Sequence, residues 1–532
     1  MLSLLALAFL LPGITGHDPW KTLDVVSIDI AYRMQLSGDW LVPHLAGEIW
    51  FEDAPFYHWM ALICGKALGW LIEFHDAARL ASALCMLLSM WALFTTARTW
   101  SPVDQRSASA AAVLLLIGSV GLFIHAHEAM PELLALAAMS MGFASLCRAP
   151  APGKKSSLVL RFLGLAVSLA VSFFSGGWAA TAGLLAASLA ALASIPEWRK
   201  PAGLTALLAG YVLGAVLAAL WPLALWYRDP NLLALWLGHQ TVLHGLPFEN
   251  ARYFLVTSVW FLWPAWPLGF WALWNKPQRW REPDMLVPLA ALLAGFVVLS
   301  LTGPIQDVNL SVILAPVVLL GALGAPKLLR GAASALDWFG LMLFAFFTGV
   351  IWVAYFAMLT GSPAQIARNF LRVTPGFIQP LEPFALTFAL LLALAWFYLV
   401  FRSARGPTRS LLRWAAGATL LWATFAMLWM PWVDHQRSYR TVALQIKSHI
   451  PAGASCISGL DLGNAQRAAF DYHAGIVTRR FDANRPRTCS LLLVQGEPRR
   501  EEPPPGKGWI RIADLGRPGD KTERYRLYRF AR

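Results

Sequence analysis

The sequence predicts an all-α polytopic membrane protein with a small α/β domain outside the membrane at its C-terminal end. Three observations carry this reading. The 532 residues are 57% hydrophobic and only 14% charged, with a mean hydropathy of +0.54. Apolar runs of roughly 20 residues, the length a ~30 Å hydrocarbon core demands of a spanning helix, recur along most of the chain. Beyond residue 433 they give way to short apolar runs separated by polar turns.

The opening run MLSLLALAFLLPGITG lacks the basic start and small-residue cleavage site of a signal peptide, so it reads as a first membrane helix. The expected membrane segments are 1–16, 55–73, 78–97, 108–124, 131–147, 160–174, 177–195, 203–226, 254–274, 285–302, 307–325, 336–360, 382–401 and 412–433. The net charge of +13 is read as a topology signal rather than as affinity for nucleic acid. Alternate connections are basic: Arg98 and Arg106; Arg148, Lys154 and Lys155; Arg199 and Lys200; Lys276, Arg279 and Arg281; Lys327 and Arg330; Arg402, Arg405 and Arg409. These belong on the cytoplasmic side, and the sparsely charged connections belong outside. Counting from there puts both 17–54 and 74–77 outside. Segment 55–73 therefore cannot cross, and about 13 crossings remain. Its start, PFYHWMALICGKALGW, suits a helix lying in the interface.

The domains are accordingly 1–433, with a first outer loop at 17–77, and a soluble domain at 434–532. In the latter, YRTVALQIKSHI has a helical period, while ASCISG, CSLLLVQG, GWIRIADLG and RYRLYRF read as strands. The run GEPRREEPPPGKG is a solvated loop. Cys64, Cys85 and Cys147 fall in apolar runs and read as core. Cys456 and Cys489 form a disulfide in an oxidising compartment or stay as two thiols, and spacing alone does not decide.

Polar chemistry concentrates on three outer stretches. The first is KTLDVVSIDIAYRM, where Asp24 sits near a helix start and suits either a cap or a catalytic acid. Asp29 and Arg33 fit a surface i,i+4 pair. The second is GDWLVPHLAGEIWFEDAP, in which Pro43, Gly47 and Pro55 prevent a long helix and leave Glu52 and Asp53 on a loop. Adjacent carboxylates repel, so that turn faces water or holds a divalent cation between the two. The third is HAHEAMPELLAL, with His125, His127, Glu128 and Glu132. An acid just after Pro131 is ordinary helix-start chemistry, and the spacing gives little support to a zinc site.

The stretch IAYRMQLSGDWLVPHLAGEIWFEDAPFYHW, with AARLASAL after it, resembles the first outer loop of bacterial GT-C glycosyltransferases. The resemblance is to the lipid A aminoarabinose transferases of ArnT type and their relatives in glycosyltransferase family 39. Ser37-Gly38-Asp39-Trp40, Pro43, Leu45, Gly47, Phe51-Glu52, Pro55, Trp59 and Ala78-Arg79 match that pattern in order, across about residues 18–85. Weaker likeness continues in AMPELLAL and FLWPAWPLG. The resemblance implies transfer of a sugar from a polyprenyl-phosphate donor, undecaprenyl phosphate for preference, to a lipid, glycan or protein acceptor at the periplasmic face of a bacterial inner membrane.

The resemblance also makes Asp24, Glu132 and Glu52 the expected catalytic acids. Asp53, Tyr57, His58, Arg79, His127 and Arg252 are the candidate substrate contacts, with Glu52 and Asp53 as ligands of a divalent cation if one binds; Arg79 also reads as a loop-to-helix anchor, or as the partner of Asp39 or Asp76 in a salt bridge. Besides a conservative Glu132 for Asp and replacements around QDVNLSVILAP, three departures from the pattern change the charge of the site. Leu23 stands where the family has its catalytic acid, Asp53 where it has a phosphate-contacting lysine, and Gly176 where it has a second lysine. Losing two cations and gaining an acid calls for compensation, from His127, His58, Arg252 or a cation bridging Glu52 and Asp53. The alternative function is a catalytically silent scaffold that binds polyprenyl lipid or a partner enzyme. A transporter is disfavoured because the long spans carry few ionisable residues.

Overall fold

The computed structural model describes residues 1–20, 23–101, 105–148, 155–240, 247–275, 277–404, 406–454, 456–481, 489–497, 506 and 508–531. Lys154, Lys276 and Arg405 of the basic connections, and most of the 496–508 loop, lie outside them. Among the described residues eight helices are long and apolar enough to cross a membrane. Helices satisfy their own backbone, as hydrocarbon requires. Their packing is graded. The segment Asp307–Lys327 is 94% buried in its most apolar stretch and forms the centre of the bundle, whereas Pro383–Arg402 is 17% buried and shows Phe384, Leu391 and Phe401 to the lipid.

The front of the chain comprises α1 (Leu2–Leu10), α2 (Leu23–Ser37), the strands β1 (His44–Leu45) and β2 (Glu48–Ile49), α3 (Phe56–Leu68) and α4 (Phe74–Trp100). The two-residue turn between β1 and β2 is Ala46-Gly47, both left-handed at φ 46° and 81°. That is the primed geometry tight hairpins favour. A side chain at Gly47 would also meet Val477 at 2.7 Å. Helix α3, with 13 residues, is roughly 20 Å long. Lys66 lies over the Trp40 ring at 5.2 Å, an interfacial pairing of the kind expected for 55–73.

Next come α5 (Gln105–Ile117), α6 (Leu122–His125), α7 (Pro131–Leu146) and α8 (Lys155–Ser194). As one straight rod α8 would be about 60 Å long, twice the hydrocarbon core. Its backbone departs from helix at Gly177 (φ 56°, ψ −147°), and both halves run along α7. Arg161 donates to the Ala144 carbonyl (2.6 Å), and Trp198, just past α8, donates to that of Leu146 (3.1 Å). Gly176 lies instead against Ala135, near the start of α7. Thus α8 is two antiparallel helices joined at Gly176-Gly177, as the separate segments 160–174 and 177–195 anticipate.

The last long helix, Arg409–Arg437, runs slightly past position 433. Beyond it, Arg440–Ser448 and Asn464–Ala474 pack on a mixed five-stranded sheet, and the four runs read as strands all form them. Thr478–Arg480 adds an edge strand that no apolar run announced. Cys456 and Cys489 form a disulfide beside the paired strands Ile457–Leu460 and Leu491–Gly496.

This domain sits on the outer loop. Glu48 accepts from Arg467 (2.9 Å) and Arg480 (3.1 Å), Tyr472 hydrogen-bonds His75 (2.9 Å), and Asp18 pairs with Arg440. Asp29 and Arg33 do not form the expected surface pair. Arg33 turns to Asp471, and Asp29 is fully buried, accepting the Ala46 N–H at 3.1 Å.

Replacing both Cys456 and Cys489 by Ser should cost the tail domain about 2–4 kcal/mol, the usual contribution of a disulfide closing a loop of this size. The check is denaturant unfolding of the double variant, read by a probe in the tail. An unchanged midpoint would show that the staple is dispensable.

Candidate active site

The sequence-predicted residues divide into two sets. Asp24 begins α2 at 1% exposure and takes a two-pronged ion pair from Arg79 of α4: Nη2 to Oδ2 at 2.8 Å, Nε to Oδ1 at 3.1 Å. Oδ1 also accepts the Ala129 N–H at 2.7 Å. Arg79 is itself fully buried and donates further to Asp76 (3.1 Å) and to the carbonyls of Ile14, His17 and Asp18. Burial alone would raise the Asp24 pKa, but Arg79 holds it below the usual carboxylate range. The expected catalytic acid and the expected substrate contact are therefore occupied with each other. They join the 14–18 turn, α2, α4 and the loop before α7, so Arg79 acts here as the loop-to-helix anchor, bridged to Asp76 as well as to Asp24.

Three other expected contacts are internal as well. The Tyr57 hydroxyl bonds Ser82 Oγ at 2.7 Å, and Ser82 Oγ bonds the Glu128 carbonyl at 2.6 Å. His127 lies between the carbonyls of Phe9 (2.7 Å) and Phe123 (3.0 Å), stacked on Trp422. Burial lowers its pKa to about 4, so the ring is neutral and donates to one carbonyl only. Burial lowers fully enclosed His58 to about 4 too. Arg252 is exposed on the helix Pro247–Phe261. None of these residues supplies a cation to the cavity described next.

The second set meets around a cavity of about 440 Å³. The 52–54 turn closes one side, Glu132 at the start of α7 another, and Phe173–Ala179 at the α8 hairpin a third. Trp236, His239, Thr302–Pro304 and Asn309 complete it. Leu23, Asp53 and Gly176 all line it, so the three departures from the family pattern converge on one space. Glu52 is exposed at its edge and Asp53 is half-buried. Enclosure, then the Glu52 charge, raises the Asp53 pKa to about 6. Glu132 is 8% exposed and its Oε2 has no hydrogen-bond partner. No Lys or Arg lines the cavity among the described residues. Sequence reading singled out Gly176 in FFSGGW but not the aromatic residues Phe173, Phe174 and Trp178 beside it, which line the cavity with it.

The histidine-rich stretch does not form a zinc site. His125 pairs with Glu128 (3.0 Å) and reaches Asp307 (3.7 Å), while His127 points elsewhere. Burial opposes a charge on His125, but the two carboxylates outweigh it and push the pKa up to about 10. Among the described residues no three His, Cys, Asp or Glu side chains converge to hold a metal ion, so Glu52 and Asp53 are not part of an all-protein metal cage.

No family model matches the chain. It is 26% identical over 502 residues to an undecaprenyl phosphate-alpha-4-amino-4-deoxy-L-arabinose arabinosyl transferase of Pseudomonas aeruginosa, covering 90% of this chain and 84% of that one. A second such transferase, from Pseudomonas fluorescens, is 29% identical over 48% of this chain and 42% of its own length. Among solved structures, ArnT from Cupriavidus metallidurans bound to undecaprenyl phosphate superposes with a TM-score of 0.69 at 17% identity, covering 99% of this chain and 97% of that one. The fold is that of the GT-C membrane glycosyltransferases. The likeness to the ArnT-type transferases extends along nearly the whole chain.

Two measurements check this geometry. Arg79→Ala leaves Asp24 buried without its partner and should cost about 3–5 kcal/mol, read as loss of folded protein in thermal unfolding; full retention of stability would refute the joint. Asp29, whose pKa burial raises from 3.8 to about 7, keeps its proton in the folded state where the unfolded chain has lost it. Its contribution to stability therefore falls as pH rises through that window. Asp29→Asn should match wild type near pH 4, gain on it up to pH 7 and hold a constant lead above. Parallel profiles would contradict the raised pKa.

Proposed function

We propose that the chain transfers a sugar from an undecaprenyl-phosphate-linked donor to a lipid, glycan or protein acceptor. The reaction is placed at the periplasmic face of a bacterial inner membrane, with about 13 crossings, a membrane domain over 1–433 and a periplasmic domain over 434–532. The basic connections support that orientation, as does the Cys456–Cys489 disulfide, which suits an oxidising compartment. The observation that carries the reading is the carboxylate-lined cavity between the outer loop, α7 and the α8 hairpin. In this reading a lipid-borne phosphate enters it from the membrane and meets an acceptor from the aqueous side. The solved relative named as binding undecaprenyl phosphate shares the fold around it.

In this reading the acceptor hydroxyl oxygen bonds to the anomeric carbon of the sugar while the bond from that carbon to the phosphate oxygen breaks. Glu52, exposed at the cavity edge, takes the hydroxyl proton, and the lipid phosphate leaves with the electron pair. Glu132 and Asp53 face the donor end. Asp24 and Arg79 act as positioning residues, because their pair fixes the elements that frame the cavity. The silent-scaffold alternative draws on Leu23 and on the absence of Lys and Arg from the described lining.

Purified chain in lipid nanodiscs, given an undecaprenyl-phosphate sugar and periplasmic acceptors, should transfer the sugar. Glu52→Gln should lower turnover about 10²–10⁴-fold, the range of general-base catalysis, with undecaprenyl phosphate binding preserved. Binding without transfer by wild type would establish the scaffold instead.

A further inference from the structure

The connection between the spans Arg330–Thr360 and Pro383–Arg402 belongs with the outer ones, which carry little charge. Yet it holds Arg368 and Arg372, and no Asp or Glu before Glu382. Its helix, Ala364–Val373, is well packed on one side. Ala367 is buried, and the Phe370 ring meets those of Trp429 and Trp432 at 5.5 and 4.9 Å. Trp432 also donates to Thr374 Oγ1 at 2.8 Å. Tryptophans at the end of a span favour headgroup depth. Arg368 and Arg372, one helical turn apart, are exposed, and neither has a carboxylate partner among the described residues. The same holds for Arg437, which ends the last long helix, and for Lys521 of the tail. The tail reaches this place directly. Arg517 donates to the Arg437 carbonyl at 3.1 Å, and Gly519 packs on Val373 and Pro375.

Beyond the helix the chain turns apolar and largely uncovered. Ile378 is 87% exposed, Leu381 57% and Phe384 77%. They lead straight into Pro383–Arg402, the least buried of the candidate spans, so the patch is continuous with a lipid-facing surface. We infer that the 361–384 connection binds an anionic phospholipid of the outer leaflet. Ile378, Leu381 and Phe384 enter the acyl layer. Arg368 and Arg372 hold the headgroup phosphate from the aqueous side, with Arg437 and Lys521 beside them. A basic face over an apolar one is how interfacial segments take anionic lipid. The face lies apart from the catalytic cavity, since none of the residues lining that cavity comes from beyond position 312. It uses the membrane orientation proposed above and is independent of sugar transfer. Because the tail rests on the same helix, the bound lipid also braces the tail against the membrane.

The test puts a benzophenone amino acid at position 371, where Leu371 is exposed beside Arg372, in the full chain. The protein is held in nanodiscs of phosphatidylcholine with a minority of phosphatidylglycerol. On illumination, phosphatidylglycerol should be captured about tenfold beyond its share of the bilayer, the enrichment that two arginines at a membrane surface produce. Arg368→Gln combined with Arg372→Gln should return capture to that share. Thermal unfolding in pure phosphatidylcholine should stay unchanged, since neither side chain holds a protein carboxylate. If the double variant fails to fold, salt gives the same reading on the unsubstituted arginines: the enrichment should fall as ionic strength rises. Capture in proportion to composition, or an enrichment indifferent to both salt and the arginines, would overturn the headgroup site. No lipid captured at all would overturn the placement of this face in the membrane.

Discussion

The structure depends on one buried guanidinium. Arg79 has five N–H donors in a rigid fork, and here they meet two carboxylates and three carbonyls from separate parts of the chain. An arginine withdrawn from water is tolerable only when its donors are matched in this way. The turn at 14–18, the start of α2, the first turns of α4 and the loop before α7 thus share one point of attachment. Glu132 follows that loop, and Leu23 precedes Asp24, so the pair sets where two walls of the cavity stand without entering it.

The third wall is held from a distance. The 52–54 turn follows a hairpin whose turn is bonded to Asp29 and whose Glu48 is gripped by Arg467 and Arg480 of the tail. The tail therefore does more than decorate the outer face. Its arginines reach residues 419 and 432 positions earlier in sequence and fix a loop that has little regular structure of its own. Loops carry function when a rigid scaffold positions them, and here a domain outside the bundle supplies much of that rigidity.

Much of this was legible in the sequence. Loop charge argued against a crossing by 55–73, and a single short helix, α3, occupies that segment. Apolar runs located four of the five tail strands, and the break between 174 and 177 marked the α8 hairpin. The candidate site was harder to read. Asp24 and Arg79 look like surface chemistry in sequence because spacing cannot reveal that residues 55 positions apart neutralise each other inside the protein. The same holds for Asp29, whose i,i+4 partner found Asp471. Asp53 was the reverse case: its charge disagreed with the family pattern on the page, and it does line the cavity.

The α8 hairpin brings the backbone of two helices to the cavity with almost no side chain at the bend. A β-carbon on Gly176 would lie 2.5 Å from that of Ala180 and 2.9 Å from that of Ala135, which places it inside both. Any side chain at position 176, a lysine included, therefore first requires its neighbours to part. Asp53 has no such barrier. The two positions differ in kind: one already carries a side chain on the cavity wall, while the other is closed by the helices that meet there.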